Sequence, residues 1–170
     1  MRIREAEPTD AQAIASIHVR AWQDAYRGQL SDEYLEGLRV EDRVGMQRRM
    51  LAEPREGWST WVALDDDAVV GFAVTGPSED ADADDRTGEV YAIYLEPDRV
   101  GTGVGRSLFE HALGDLRSRG FKQATLWVLE TNERARRFYE RAGWKTDGTT
   151  TSERVDCEMR PTVRYRTTLA

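Results

Sequence analysis

The chain has 170 residues and a mass of 19.3 kDa, the usual size of one domain with its own hydrophobic core. Its 24 basic and 31 acidic residues leave a net charge of −7, which argues against binding to nucleic acid or to an anionic membrane surface. A single cysteine, Cys157, excludes an intramolecular disulfide and a cysteine-based metal cage. The sequence shows neither a signal-peptide core nor a membrane-spanning run, so we expect one cytoplasmic domain over 1–170.

The N-terminal part of the chain favours a short strand followed by helices. Ile3 opens the strand, and the spacing Thr9-x-x-Gln12 predicts a capping box at the start of an amphipathic helix, which Gly28 stops. Two further helices are expected, over 31–38 and 41–53.

Two β-rich runs follow, over 58–64 and 68–75. The acidic triplet Asp65–Asp67 between them suits the solvated turn of an antiparallel hairpin. Residues 76–88 contain no apolar residue larger than alanine or proline, so the sequence predicts a mobile loop there. Because its aspartates lack the glycine and the final glutamate of a calcium loop, we predict no metal site.

The middle of the chain predicts a strand over 89–95, a glycine-containing turn, a helix over 104–120 and a second strand over 124–129. A shorter helix, capped near Asn132, completes a β-α-β-α order. Strands on either side of one helix pair in parallel through a right-handed crossover. A ligand is therefore expected at the carboxyl ends of these two strands.

The C-terminal part predicts two more strands, which we expect to be antiparallel members of the same sheet. They lie over 144–147 and 163–168. Between them, the polar segment Gly148–Arg154 predicts a turn.

The turn between the central strand and its helix carries three alternating glycines, Gly101, Gly103 and Gly105. A strand, a glycine turn and a helix in this order expose unpaired backbone amides at the helix start, where a phosphate is favoured. A plain tight turn is one alternative, and a dinucleotide-binding turn is another, with Glu130 as its ribose-binding acid. The dinucleotide turn would come earlier in the chain, and a Walker loop is excluded because no Gly-Lys-Ser/Thr follows.

Two motifs resemble the GNAT superfamily of N-acetyltransferases. Residues Val100–Gly105 match its acetyl-CoA loop, Gln/Arg-x-x-Gly-x-Gly/Ala, except that Val100 stands where the family most often has Arg or Gln. Residues Asn132–Trp144 match the more specific pattern Asn-x-x-Ala-x-x-Phe-Tyr-Glu-x-x-Gly-Phe. The resemblance implies a single-domain α/β GNAT-like fold, with a mixed central β-sheet flanked by helices and a βαβα core that binds acetyl-CoA.

The resemblance also implies the residues that would hold the cofactor. Backbone of Tyr94 and Leu95 would bond the pantetheine arm as though it were another strand. The turn would hold the pyrophosphate through its amides. The implied contacts from the turn and the start of the helix after it are Val100, Gly101, Thr102, Gly103, Val104, Gly105 and Arg106. The later, shorter helix would add Asn132 and Arg136. Arg136 has the alternative of being a solvated helix residue.

Acyl transfer from a thioester to an amine needs a neutral nucleophile, an oxyanion donor and an acid for the leaving thiolate. A backbone N–H near Leu95 is the family's usual oxyanion donor, and Tyr139 stands at the family's acid position, with core packing as the alternative. Glu89 stands where several members have a general base, with an exposed strand-end charge as the alternative. Trp22 and Tyr26, four residues apart on the first helix, are candidates for contact with the acceptor or for packing.

We therefore interpret the chain as an acetyltransferase that moves acetyl from acetyl-CoA directly to a primary amine of a small molecule or peptide, without a metal. Use of another acceptor or a longer acyl chain is one alternative. A silent acyl-CoA-binding module that acts as a sensor or partner domain is another. The acidic composition mildly favours a cationic amine as the acceptor. A homodimer is implied only by the resemblance to the family.

Overall fold

The structure is a computed structural model that describes residues 1–170. Its strands are β1 (Arg2–Glu5), β2 (Ser59–Asp65), β3 (Ala68–Pro77), β4 (Thr87–Leu95), β5 (Gln123–Leu129), β6 (Lys145–Val155) and β7 (Glu158–Thr168). Its α-helices are α1 (Ala11–Ala25), α2 (Asp32–Glu36), α3 (Glu41–Ala52), α4 (Val104–Ser118) and α5 (Glu133–Arg141). Short 3-10 turns precede α1 and the glycine turn, at Pro8–Asp10 and Pro97–Arg99.

The strands form one seven-stranded sheet in the order β1-β2-β3-β4-β5-β7-β6. Neighbouring strands are antiparallel except for β4 and β5, which are parallel and lie on either side of α4 in the chain. The predicted mixed sheet and its central parallel pair are therefore confirmed. Since β4 and β5 are joined by a helix rather than a hairpin, their carboxyl ends meet at the same edge of the sheet.

Helices cover both faces of the sheet. On one face, the α1 residues Ile14 and Ile17 form a buried cluster with Val62 and Phe72 of the hairpin formed by β2 and β3. On the other face, the α4 residues pack against Ala63 and its neighbours in the same hairpin. Adjacent residues of a strand point to opposite faces, so the apolar run of β2 supplies both layers of the core.

Three local predictions are wrong. Residues Gly148–Arg154 belong to strand β6, and the turn that follows is formed by Asp156 and Cys157, both with positive φ. The capping box is not formed by Thr9, because the buried side chain of Asp10 accepts the Glu7 N–H at 2.8 Å. The loop predicted over 76–88 is shorter than expected, because β3 extends to Pro77 and β4 begins at Thr87.

The loop between β3 and β4 is attached to the sheet by a buried arginine. The guanidinium of Arg164, 3% exposed, contacts carboxylates of Asp80, Asp82 and Asp147 at 2.6–3.0 Å. Trp127 also donates its indole N–H to Asp80 at 3.0 Å. The prediction of a mobile loop considered only apolar burial, whereas this loop is held by charge-assisted hydrogen bonds.

Candidate functional site

The central strands separate at the edge where a ligand is predicted. β4 and β5 pair only over Thr87–Glu89 with Gln123–Thr125, and beyond that point neither strand pairs with the other. Each keeps a partner on its outer side, β3 for β4 and β7 for β5. A cavity of about 800 Å³ occupies the opening and continues to the glycine turn.

The inner edge of β4 therefore presents unpaired backbone groups to the cavity. Residues 90–95 line it, and the register against β3 skips Tyr91, which is a β-bulge. A bulge bends its strand, so it contributes to the separation from β5. The backbone of Tyr94 and Leu95 thus has the geometry of an open sheet edge, which an extended ligand can extend as a further strand.

Glycine is required at the three positions of the turn for different structural reasons. Gly101 and Gly103 have φ of +82° and +94°, values that side chains rarely adopt, and the space beside each is empty. Gly105 lies within α4, where an added Cβ would come within 3.0 Å of Leu95. Two glycines therefore shape the turn, and the third lets the helix approach the end of β4.

The first turn of α4 points its free amides towards the cavity. The amide of Ser107 is the first to bond back along the helix, to Gly103 O at 3.1 Å, so the amides before it have no helical partner. Gly101, Gly103, Gly105 and Arg106 line the cavity, together with the half-exposed Val100. Thr102 does not, since its amide and hydroxyl both bond Arg99 O, and Val104 packs its side chain into the core.

Tyr139 reaches the cavity from α5. Its ring is buried against Phe109 and Trp144, so the packing interpretation is correct as far as the ring is concerned. Its hydroxyl makes no hydrogen bond within the chain, yet Tyr139 lines the cavity. Burial raises the pKa of this phenol above its ordinary value, with Tyr94 and Tyr26 adding to the effect. The hydroxyl is therefore protonated at neutral pH, and no acceptor within the chain engages it.

Trp22 and Tyr26 line the cavity from α1 and also pack there. Their rings lie 4.7 Å apart, and the Trp22 indole donates to the Tyr94 hydroxyl at 3.1 Å. The Tyr26 hydroxyl accepts from the Asn132 side-chain amide at 3.0 Å. The oxygen of Asn132 caps α5 by accepting the Ala135 N–H at 3.2 Å, so this residue ties α1 to α5 at the cavity wall.

Glu89 lies at the point where β4 and β5 separate, and it is only 6% exposed, so the exposed-charge interpretation is wrong. It does not line the cavity, although Val90 and Tyr91 directly after it do. Burial raises the pKa of Glu89 to about 7, while the Ser78 hydroxyl that donates to it at 3.0 Å works in the opposite direction. The Thr125 hydroxyl, opposite Glu89 in the register, is buried without a partner.

Charged side chains of the cavity wall were only partly predicted. Those that line it are Asp24, Arg106, Glu110, Arg134, Arg141 and Glu153. Arg136 is absent from the wall, because its guanidinium bonds the Tyr165 hydroxyl and Glu130 O at 3.0 and 2.9 Å. The sequence could have indicated Arg141, because it follows Phe138 by three positions and the two residues therefore share a face of the helix.

The two histidines lie outside the cavity wall. His18 stacks on Tyr94 at 4.9 Å, and burial together with Arg43 lowers the pKa of His18 to about 4. His111 contacts Trp61 edge-on at 4.5 Å. No cluster of His, Cys, Asp or Glu side chains has the makings of a metal site, and the helices are all too short or too polar to span a bilayer.

Known proteins resemble this chain both in sequence and in fold. Residues 13–144 match the family described as the acetyltransferase (GNAT) family. A probable N-acetyltransferase of Mycobacterium tuberculosis is 31% identical over 156 residues, which cover 88% of this chain and 83% of that protein.

Solved structures share the fold over nearly the full length. The PaiA N-acetyltransferase of Thermoplasma acidophilum, solved with coenzyme A, superimposes with a TM-score of 0.71 at 20% identity and covers 95% of this chain and 96% of its own. A putative acetyltransferase of Salmonella typhimurium, solved with acetyl-CoA, gives a TM-score of 0.73 at 18% identity and covers 100% and 94%.

Proposed function

The chain belongs to the GNAT family of acetyltransferases, whose acyl donor is acetyl-CoA, and we propose that it moves the acetyl group directly to a primary amine of a small molecule or peptide. One observation carries this proposal. The cavity between β4 and β5 joins an open strand edge, a helix N-terminus and an unpartnered tyrosine hydroxyl. These are the groups that a thioester donor and its leaving thiolate require.

The donor would lie with its diphosphate at the glycine turn and its pantetheine along β4. Free amides at the start of α4 supply partial positive charge for the phosphates. The exposed side chain of Arg106 is paired with Glu110 at 2.8 Å, so we expect its contribution to come from the backbone amide. Arg141, which lines the cavity and has no ion-pair partner, would take the place of Arg136 as a side-chain cation for the phosphates.

The reaction would proceed by attack of the neutral amine on the thioester carbonyl. A backbone N–H near Leu95 would stabilise the oxyanion, and collapse of the tetrahedral intermediate would expel the thiolate. Tyr139 would protonate that thiolate, because its hydroxyl lines the cavity and makes no hydrogen bond within the chain.

Glu89 would accept the proton of the amine through an intervening water, since its carboxyl lies behind the cavity wall. The unpartnered Thr125 hydroxyl and the Ser78 hydroxyl would give that water polar neighbours. A pKa of about 7 suits a general base at neutral pH.

A panel of primary amines, secondary amines and alcohols tests the proposal when CoA release is followed as free thiol. We expect thiol release with primary amines and acetylated amine as its product by mass spectrometry. CoA binding without release for any amine would instead support the silent binding module.

A further inference from the structure

Two of the charged residues in the cavity wall have no charged partner. Asp24 is paired with Arg134 at 2.9 Å, and Arg106 with Glu110 at 2.8 Å. Arg141 and Glu153 form neither an ion pair nor a side-chain hydrogen bond. Arg141 and Glu153 are therefore the charged residues of the cavity wall without an ion-pair partner, and the nearest cation to Glu153 along the sheet is Arg160, its register neighbour on β7.

The free cation lies at the end of the cavity near the glycine turn. Arg141 shares a face of α5 with Phe138, three residues earlier. The Phe138 ring lies 3.9 Å from the position that a Cβ on Gly105 would occupy. Arg141 is thus on the side where the diphosphate of the donor is proposed to bind.

The free anion belongs to the opposite side, against α1 and α2. Glu153 and Val155 are two residues apart on β6 and therefore share a face of the strand. Val155 is buried in one cluster with Tyr26 and Leu35. Burial raises the pKa of Tyr26, and the charge of Glu153 adds to that rise, as expected of a neighbour.

The position of Glu153 is fixed by the hairpin turn that follows it. Asp156 accepts hydrogen bonds from the Ser31 amide and hydroxyl at 2.9 and 3.1 Å. These bonds fasten the β6–β7 turn to the start of α2. Glu153 is consequently a carboxylate on a fixed strand near Tyr26, in a cavity wall that also includes Trp22.

We propose that Glu153 is a specificity residue that binds a second ammonium group of the acceptor, so that the preferred acceptors are small amines with two cationic centres. This inference rests on the proposed function, because it assumes that the reacting amine enters the same cavity. A carboxylate without a partner gains from an approaching cation, and aromatic rings stabilise the same cation through their faces. The reacting amine must be neutral, whereas the second ammonium keeps its charge and anchors the molecule at the end away from the phosphates.

A matched pair of acceptors tests this assignment. Cadaverine and the amino alcohol of the same chain length differ only in the second ammonium group. We expect the wild-type enzyme to prefer cadaverine about five- to tenfold in kcat/KM, mainly through KM, and Glu153→Gln to lose most of that preference. Glu56→Gln is the control, since Glu56 is exposed, forms no ion pair and lies outside the cavity wall.

Three outcomes separate the inference from the function on which it rests. Equal kcat/KM for the two acceptors, or an unchanged preference in Glu153→Gln, overturns the role of Glu153 and leaves the acetyltransferase proposal standing. Absence of acetyl transfer to every amine overturns the proposed function instead. In that case calorimetric titration of cadaverine into the CoA-loaded protein still decides, because Glu153→Gln must weaken its binding for the assignment to hold.

Discussion

Replacing Glu89 by glutamine separates two consequences of one buried carboxyl group. As a general base, Glu89 must be ionised to accept a proton, so the activity of the wild-type enzyme should rise with pH through about 7. Burial makes the same ionisation unfavourable for the fold. Glu89→Gln should therefore be a slower enzyme and, above pH 7, a more stable protein.

The size of the stability change follows from the pKa. Each pKa unit corresponds to about 1.4 kcal/mol, so a rise from the ordinary 4.5 to about 7 makes the ionised group cost roughly 3 kcal/mol in the folded state. Residual solvent contact and the unmet hydrogen-bonding capacity of the buried glutamine amide reduce this to an expected gain of about 1–2 kcal/mol at pH 8. The wild-type protein loses this stability as the pH rises from 4.5 through about 7, and the variant does not.

Urea unfolding at pH 5 and pH 8 measures the stability, and CoA release across the same range measures turnover. We expect kcat to fall about a hundredfold or more in Glu89→Gln and the pH dependence near 7 to disappear. Asp85→Asn, in the exposed part of the preceding loop, is the control for a lost carboxylate. Wild-type turnover in Glu89→Gln would refute the base role, and an unchanged difference in stability between the two pH values would refute the buried-charge argument.

Three further variants test other parts of the site. Gly103→Ala should lower CoA affinity at least about tenfold by calorimetry, whereas Gly148→Ala, also at positive φ with open space beside it, should cost similar stability and leave CoA binding unchanged. Tyr139→Phe should lower kcat at least about tenfold with little change in CoA affinity, and an unaffected kcat would remove its acid role. Arg164→Met should cost about 2–4 kcal/mol in urea unfolding because it removes the charge-assisted hydrogen bonds of a buried guanidinium to three carboxylates, and a loss no larger than that of Arg166→Met would show that the loop needs no such attachment.

The parallel pair and the positive-φ glycine turn could be predicted from the sequence because their signals are local. The apolar strand before Gly101, the positive-φ glycines and the apolar periodicity of α4 are read within about 30 residues of chain. Glu89 illustrates the limit of this approach. A lone carboxylate at the start of a strand has the same local pattern whether it is exposed or buried, and only the approach of Ser78 and the loop decides which.

The position of Glu153 in the cavity wall could not be predicted, because the sequence does not mark β6 as a strand. Its residues are polar, and nearly all are exposed on both faces, so no alternation of apolar and polar residues marks it as a strand. It is an edge strand that exists through its pairing with β7 and through the bonds of Asp156 to Ser31. Glu153 therefore looked like part of a turn, although tertiary contacts place it in the cavity wall.

The separation of β4 from β5 links the fold to the polarity of the site. Two strands that each keep an outer partner can part without losing the sheet, and the opening exposes a backbone edge that favours an extended, hydrogen-bonding ligand. The same opening connects the two faces of the sheet, so the helix start and Arg141 meet the cavity at one end and Glu153 at the other. On the proposed function, a donor that carries phosphates and an acceptor that carries an ammonium group would enter the cavity from opposite ends, which would bring the thioester and the amine together beside Tyr139.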